Sequence, residues 1–194
     1  IPLPQKKGDP IAFDLDESIR QDTTAEALSR LKPAFKKDGT VTAGNAPGVN
    51  DGASALVVMG ADTAARLRVT PLARIVGQAT AGLEPKLVLM TPVDAVRKVL
   101  AKVGWRLEDV DLFELNEAFA SQAIGCMREL GIATDRPNEL GSGISLGHPI
   151  GCTGARMIVT MVNGLIRTDS QWGAGAMCAA GGMGSATVIE VPAV

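Results

Sequence analysis

The stretch AGAMCAAGGMGSATVIEV, residues 174–191, decides how this chain folds. Residues 174–180 form a short apolar run of strand length. Residues 186–191 form a second, and the glycines between them mark a turn. Working outward, 151–167 places Met157, Ile158, Met161, Val162, Leu165 and Ile166 at helical spacing. Residues 141–147 read as loop. Residues 116–130 hold helix formers and stop at Gly131. Residues 110–115 (VDLFEL) alternate as a strand does. Thr91, Pro92 and Asp94 open a further helix that Gly104 ends.

Further back, 72–79 reads as a strand after Pro71, and 62–68 as a short helix. The apolar run 53–59 (ASALVVM) reads as a strand buried on both faces. Residues 41–52 (VTAGNAPGVNDG) are loop, 36–39 a turn, and 25–31 a short helix stopped by Pro33. Residues 1–22 show no sustained period. Strands alternating with helices give an α/β fold around a mainly buried sheet.

Composition narrows the function classes. The 194 residues carry a net charge of −2, aromatics are 3% and tyrosine is absent. A basic face or a stacking platform for nucleic acid is therefore not expected. No apolar run reaches the length of a membrane span or resembles a signal peptide. The three cysteines show no CxxC spacing, and one histidine leaves too few ligands for a zinc site, so no metal is expected. Free thiols suit a reducing, cytoplasmic compartment. The chain opens at Ile1 in a Pro-rich stretch, which reads as a piece of something longer.

Two residues draw attention. His148 lies in a glycine-flanked loop just before a helix start, where backbone N–H groups favour negative charge. Cys178 sits at a strand end facing a glycine turn, whose N–H groups can form an oxyanion hole. Each is equally read as a core residue: a hydrogen-bonded histidine, a small buried thiol. Asn116, in NEAFA (116–120), stands at a strand-to-helix junction, where asparagine usually caps. Cys126 and Cys152 read as packing. The loop 44–52 is not a phosphate loop, because no GK[ST] follows it.

In order along the chain, VTAGNAPGVNDGA (41–53), NEAFA (116–120), GHPIGCTGAR (147–156) and CAAGGMGSATVIE (178–190) resemble the C-terminal half of the thiolase family, in its acetyl-CoA acetyltransferase branch. The resemblance implies a layered α/β thiolase-like fold with a mixed five-stranded sheet in the C-terminal domain. It assigns 1–48 to the tail of a loop region, 49–70 to the last strand and helix of an N-terminal domain, and 71–194 to the C-terminal domain.

The implied chemistry is Claisen condensation of two acetyl-CoA molecules, or its reverse. The alternatives are a degradative 3-ketoacyl-CoA thiolase and a non-catalytic CoA-binding module. Cys178 resembles the acid/base cysteine, and His148 the residue that activates the nucleophile and donates to one thioester oxygen in an oxyanion hole. Asn116 resembles the amide that holds a water in the same oxyanion hole. The N–H of Ala180 resembles a donor of a second hole, although the family has glycine there. Ala118 and Phe119 line the pocket, and Arg20 contacts the nucleotide part of CoA. Pro47 stands where the family often carries serine, which removes a hydroxyl contact to pantetheine, and Ala27 replaces a further serine. No cofactor is implied, CoA being the substrate carrier. The implied partners are the acyl-CoA substrates, the N-terminal half of the same thiolase, and further copies in a homodimer or homotetramer. The acyl-accepting cysteine belongs to that N-terminal half, so the chain alone is expected to be inactive.

Overall fold

The structure, a computed structural model, describes residues 1–192. It divides into two compact units, Ile1–Lys32 and Pro33–Val194.

In the first unit, β1 (Pro2–Leu3) and β2 (Ile11–Ala12) pair antiparallel, a short hairpin that the aperiodic sequence did not announce. Helix α1 (Ala25–Ser29) is shorter than expected. The Thr24 hydroxyl caps it by accepting from the Ala27 N–H at 3.0 Å. None of its residues is buried.

The second unit runs α2 (Ala61–Leu67), β3 (Arg74–Gly82), α3 (Thr91–Val103), β4 (Leu112–Leu115), α4 (Ala120–Leu130), α5 (Gly143–Leu146), α6 (Thr153–Arg167), β5 (Trp172–Ala179) and β6 (Met183–Glu190). The sheet order is β3-β6-β5-β4. Strand β6 pairs antiparallel with β3 and β5, while β5 and β4 run parallel, so the sheet is mixed. Alternation along the strands splits the core between two faces. Phe113 and Val188 pack with Val93, Val96 and Val99 of α3. Leu112 and Ile189 pack with Met161 and Leu165 of α6. Helices therefore cover both faces.

The sheet has four strands among the described residues, not five. Beyond β4 a single parallel bridge joins Phe113 to Pro137. Proline has no N–H to give a ladder, so pairing stops there. The run 53–59 is not a strand either. A strand exists through its partner, and none pairs with it; Val57 is 88% exposed. The stretch read as loop at 141–147 contains the one-turn α5, where the Ser142 N–H donates to the Ser145 hydroxyl at 3.2 Å. Helix α4 begins at Ala120, four residues after Asn116.

The β5–β6 turn is held firmly. Gly182 has φ of +85°, and a Cβ there would strike the Leu83 carbonyl oxygen. The Leu83 N–H in turn donates to the Gly182 carbonyl at 2.8 Å. This clasp fixes the strand end that carries Cys178.

Candidate active site

Cys178 is the penultimate residue of β5, opposite Gly184 of β6. It is half-buried and unpaired. Burial pushes its thiol above the usual value, while its own backbone N–H pulls the other way. A raised thiol stays protonated near neutrality, so it can give a proton but must lose its own before it can take one. Ala180 opens the single 3-10 turn Ala180–Gly182 that follows and is exposed.

Asn116 immediately follows β4. Its backbone N–H donates to the Ala176 carbonyl at 3.0 Å, which sets it beside the end of β5. Its side chain is buried, with neither Nδ2 nor Oδ1 hydrogen-bonded among the described residues. Asn116 therefore does not cap the next helix. An orphaned buried amide costs about 1–3 kcal/mol, and such groups concentrate where a ligand or reacting atom supplies the partner. Gly143 lets the chain pass over this amide: a Cβ there would lie 2.7 Å from the Glu117 carbonyl oxygen and 3.3 Å from Asn116 Oδ1.

His148 lies just before α6. Its backbone N–H donates to Asn50 Oδ1 at 3.2 Å, so the loop 41–52 braces it. Its Nδ1 lies 2.7 Å from the Thr153 hydroxyl. Burial, helped by the Arg156 charge, lowers the imidazole below its ordinary value, which favours its neutral, proton-accepting form.

Beneath these residues runs a buried charge network. Arg156, in the first turn of α6, donates to Glu114 of β4 at 2.8 Å. It also reaches the Ser142 hydroxyl at 3.5 Å. Burial pushes the Glu114 carboxyl up to about 7, although Arg156 pulls it down. Glu117 accepts from the Ile144 N–H at 3.2 Å and from Asn138 Nδ2 at 3.3 Å. The network ties the start of α6 to the end of β4. Asn116 and Cys178 thus lie at the carboxyl ends of the paired strands β4 and β5, where open α/β sheets bind ligands, and His148 is held by Thr153 at the start of the helix that Arg156 pins to β4.

Residues 118–120 dock against residues 35 and 45 of the preceding loop region. Phe119 meets Phe35 edge-on with centroids 5.7 Å apart. The Ala118 N–H donates to Gln122 at 3.1 Å. The Ala120 N–H donates to the Asn45 carbonyl at 3.0 Å, docking the loop that carries half-buried Pro47 onto NEAFA. Arg20 belongs to the first unit and is exposed there. Cys126 is fully buried against Leu89 and Gln122, and Cys152 is buried at the start of α6, as core residues are.

Sequence reading missed Thr153, Asn50, Glu114 and Arg156. Glu114 left one signal: a carboxylate between Phe113 and Leu115 in an apolar strand, which a sheet covered on both faces must bury.

The family model described as "Thiolase, C-terminal domain" matches residues 69–191, and "Thiolase, N-terminal domain" matches residues 1–62. The chain belongs to the thiolase family. The acetyl-CoA acetyltransferase of Chromobacterium violaceum is 51% identical over 190 residues, covering 98% of this chain and 48% of the relative. That of Pseudomonas aeruginosa is 49% identical over 189 residues, covering 97% and 48%. The thiolase fold is equally clear. The crystal structure of the Bacillus anthracis acetyl-CoA acetyltransferase superposes with a TM-score of 0.90 at 47% identity, over 99% of this chain and 49% of that one. Human mitochondrial 3-ketoacyl-CoA thiolase gives 0.86 at 39%, over 95% and 47%. The chain spans about half the length of the curated thiolases it matches. Among the described residues no helix is long and apolar enough to cross a membrane, and no group of three His, Cys, Asp or Glu side chains could hold a metal ion.

Proposed function

We propose that these residues are the acid/base half of an acetyl-CoA acetyltransferase, an acyltransferase that joins two acetyl-CoA molecules into acetoacetyl-CoA and CoA, or runs the reverse. The observation that carries this reading is the buried Asn116 amide, without a hydrogen-bond partner among the described residues, at the end of β4 beside the β5 end that carries Cys178. A thioester oxygen that gains charge in the transition state needs such a preorganised site. Asn116, directly or through a water, and His148 stabilise that charge. Cys178 takes the α-proton of the second acetyl group, and the Ala180 N–H faces the enolate oxygen. Ala118, Phe119 and Pro47 line the acyl and pantetheine path, and Arg20 meets the nucleotide end of CoA.

In this reading the acyl-accepting thiol is none of the three cysteines here, which the burial of Cys126 and Cys152 supports. It comes from an N-terminal thiolase half, the partner of these residues in a cytoplasmic homo-oligomer. In that protein residues 1–48 are the tail of the loop region, 49–70 close the first domain, and 71–194 are the second. The exposed run 53–59 finds its strand partner there. CoA serves as substrate carrier, with no further cofactor. A 3-ketoacyl-CoA thiolase is the second reading, supported by the 0.86 superposition on the human enzyme.

The test is direct. Residues 1–194 given acetoacetyl-CoA and CoA yield no acetyl-CoA. The same residues joined to an N-terminal thiolase half yield it. Turnover by residues 1–194 alone, or none by the joined protein, contradicts the reading.

A further inference from the structure

Which imidazole nitrogen of His148 carries the proton decides whether the ring can act as a base, and one hydroxyl controls this. The Thr153 hydroxyl has a single proton. It lies 3.0 Å from the Pro149 carbonyl oxygen, one helical turn back, with geometry for donation. The N–H groups of Cys152 and Thr153 converge on the same carbonyl at 2.8 and 2.9 Å, so Pro149 anchors the whole first turn of α6. With its proton given to Pro149, Thr153 Oγ1 has only lone pairs left for His148 Nδ1, 2.7 Å away. Nδ1 must then be the protonated nitrogen, and Nε2 is bare.

We infer that Thr153 is a positioning residue that holds His148 as the Nδ1–H tautomer, with Nε2 free to take the proton of an attacking thiol. The arrangement works in both charge states. When His148 becomes an imidazolium, Nδ1–H keeps the same acceptor, whereas a hydroxyl donating to Nδ1 would lose its bond at that moment. The buried position of Thr153, 1% exposed, shields the contact from water. Sequence alone hides this role, because a threonine in the first turn of a helix reads as a cap. The inference rests on the acyl-transfer reading for its purpose, but not for its geometry.

The single histidine makes the test clean. In the ¹⁵N-labelled chain at neutral pH, two-bond ¹H–¹⁵N correlations show a protonated Nδ1 and a bare Nε2. Thr153→Val, which keeps the shape and loses the hydroxyl, shifts the ring to the Nε2–H form that free imidazole side chains prefer, and Thr153→Ser restores the original pattern. In the joined thiolase, Thr153→Val lowers kcat by on the order of 10²-fold, the low end of what general acid–base catalysis supplies, with KM little moved. An Nε2–H form in the unsubstituted chain overturns the inference without any variant having to fold. So does an unchanged tautomer in Thr153→Val. Neither result depends on turnover, so either leaves the acyl-transfer reading standing. Conversely, an inactive joined protein with the Nδ1–H form intact counts against that reading alone.

Discussion

His148→Ala in the complete thiolase carrying these residues lowers kcat for thiolysis of acetoacetyl-CoA by about 10²–10⁴-fold, the range that a positioned general base contributes. Two features make the loss large. Burial and the Arg156 charge favour the neutral imidazole, the form that can take a proton. It is also fixed in place, its N–H on Asn50 and its ring on Thr153. No other histidine exists in these 194 residues to substitute for it. Steady-state rates with acetoacetyl-CoA and CoA provide the check. Because the imidazole value is lowered, activity that needs neutral His148 persists to lower pH than an ordinary histidine would allow. A loss under 10-fold would remove His148 from the chemistry.

The second large effect is on stability. Glu114→Ala destabilises the fold by about 3–5 kcal/mol, the usual cost of stranding one member of a buried ion pair. The Glu114 side chain is 1% exposed and Arg156 only 19%, so neither charge finds water when its partner goes. Urea unfolding of the two proteins measures the difference. Arg156→Met tests the same pair from the other side and adds a pH signature. A carboxyl whose value is raised on folding binds its proton more tightly in the folded state. The stability linked to that proton is full below the ordinary value of 4.5 and is lost as pH rises through about 7. Removing Arg156 takes away the cation that held the value down, so the loss in the variant is larger and extends higher in pH. The stability gap between Arg156→Met and the unsubstituted chain is therefore flat at about pH 5, where Glu114 is protonated in both folded proteins, and widens as pH rises through about 7. A gap that stays constant would show that Glu114 does not titrate there.

The sequence was readable where local pattern and tertiary demand agree. The two strands flanking the 180–184 glycines, helix α3 with its Thr-Pro start, and α6 with its helical stripe all appear near the expected places. It was misleading where a partner decides. The run 53–59 has strand composition but no strand to pair with. The expected fifth strand is absent among the described residues, and beyond β4 only one bridge joins Phe113 to Pro137. Asn116 has the composition of a cap, yet α4 starts at Ala120 and the amide is left free for other work.

Within the candidate site, the residues that stand in quoted motifs were legible as candidates: Asn116 and Cys178 lie at the ends of neighbouring strands, and His148 precedes the helix tied to them. Those that support them were not. Thr153 and Arg156 read as ordinary residues of an amphipathic helix, and Asn50 as one polar residue in a loop. Each gains its role from a contact that spacing along the chain does not reveal, such as the Arg156–Glu114 pair across 42 positions.

The central claim is that Cys178 moves the α-proton, and deuterium exchange measures that step alone. Acetyl-CoA is incubated in D₂O with the complete thiolase, and label in the acetyl group is followed by mass spectrometry. The account predicts exchange by the unsubstituted enzyme. In Cys178→Ala it predicts exchange lost by at least about 10²-fold, while acetylation of the accepting thiol continues. Exchange at the unsubstituted rate in Cys178→Ala would contradict the account.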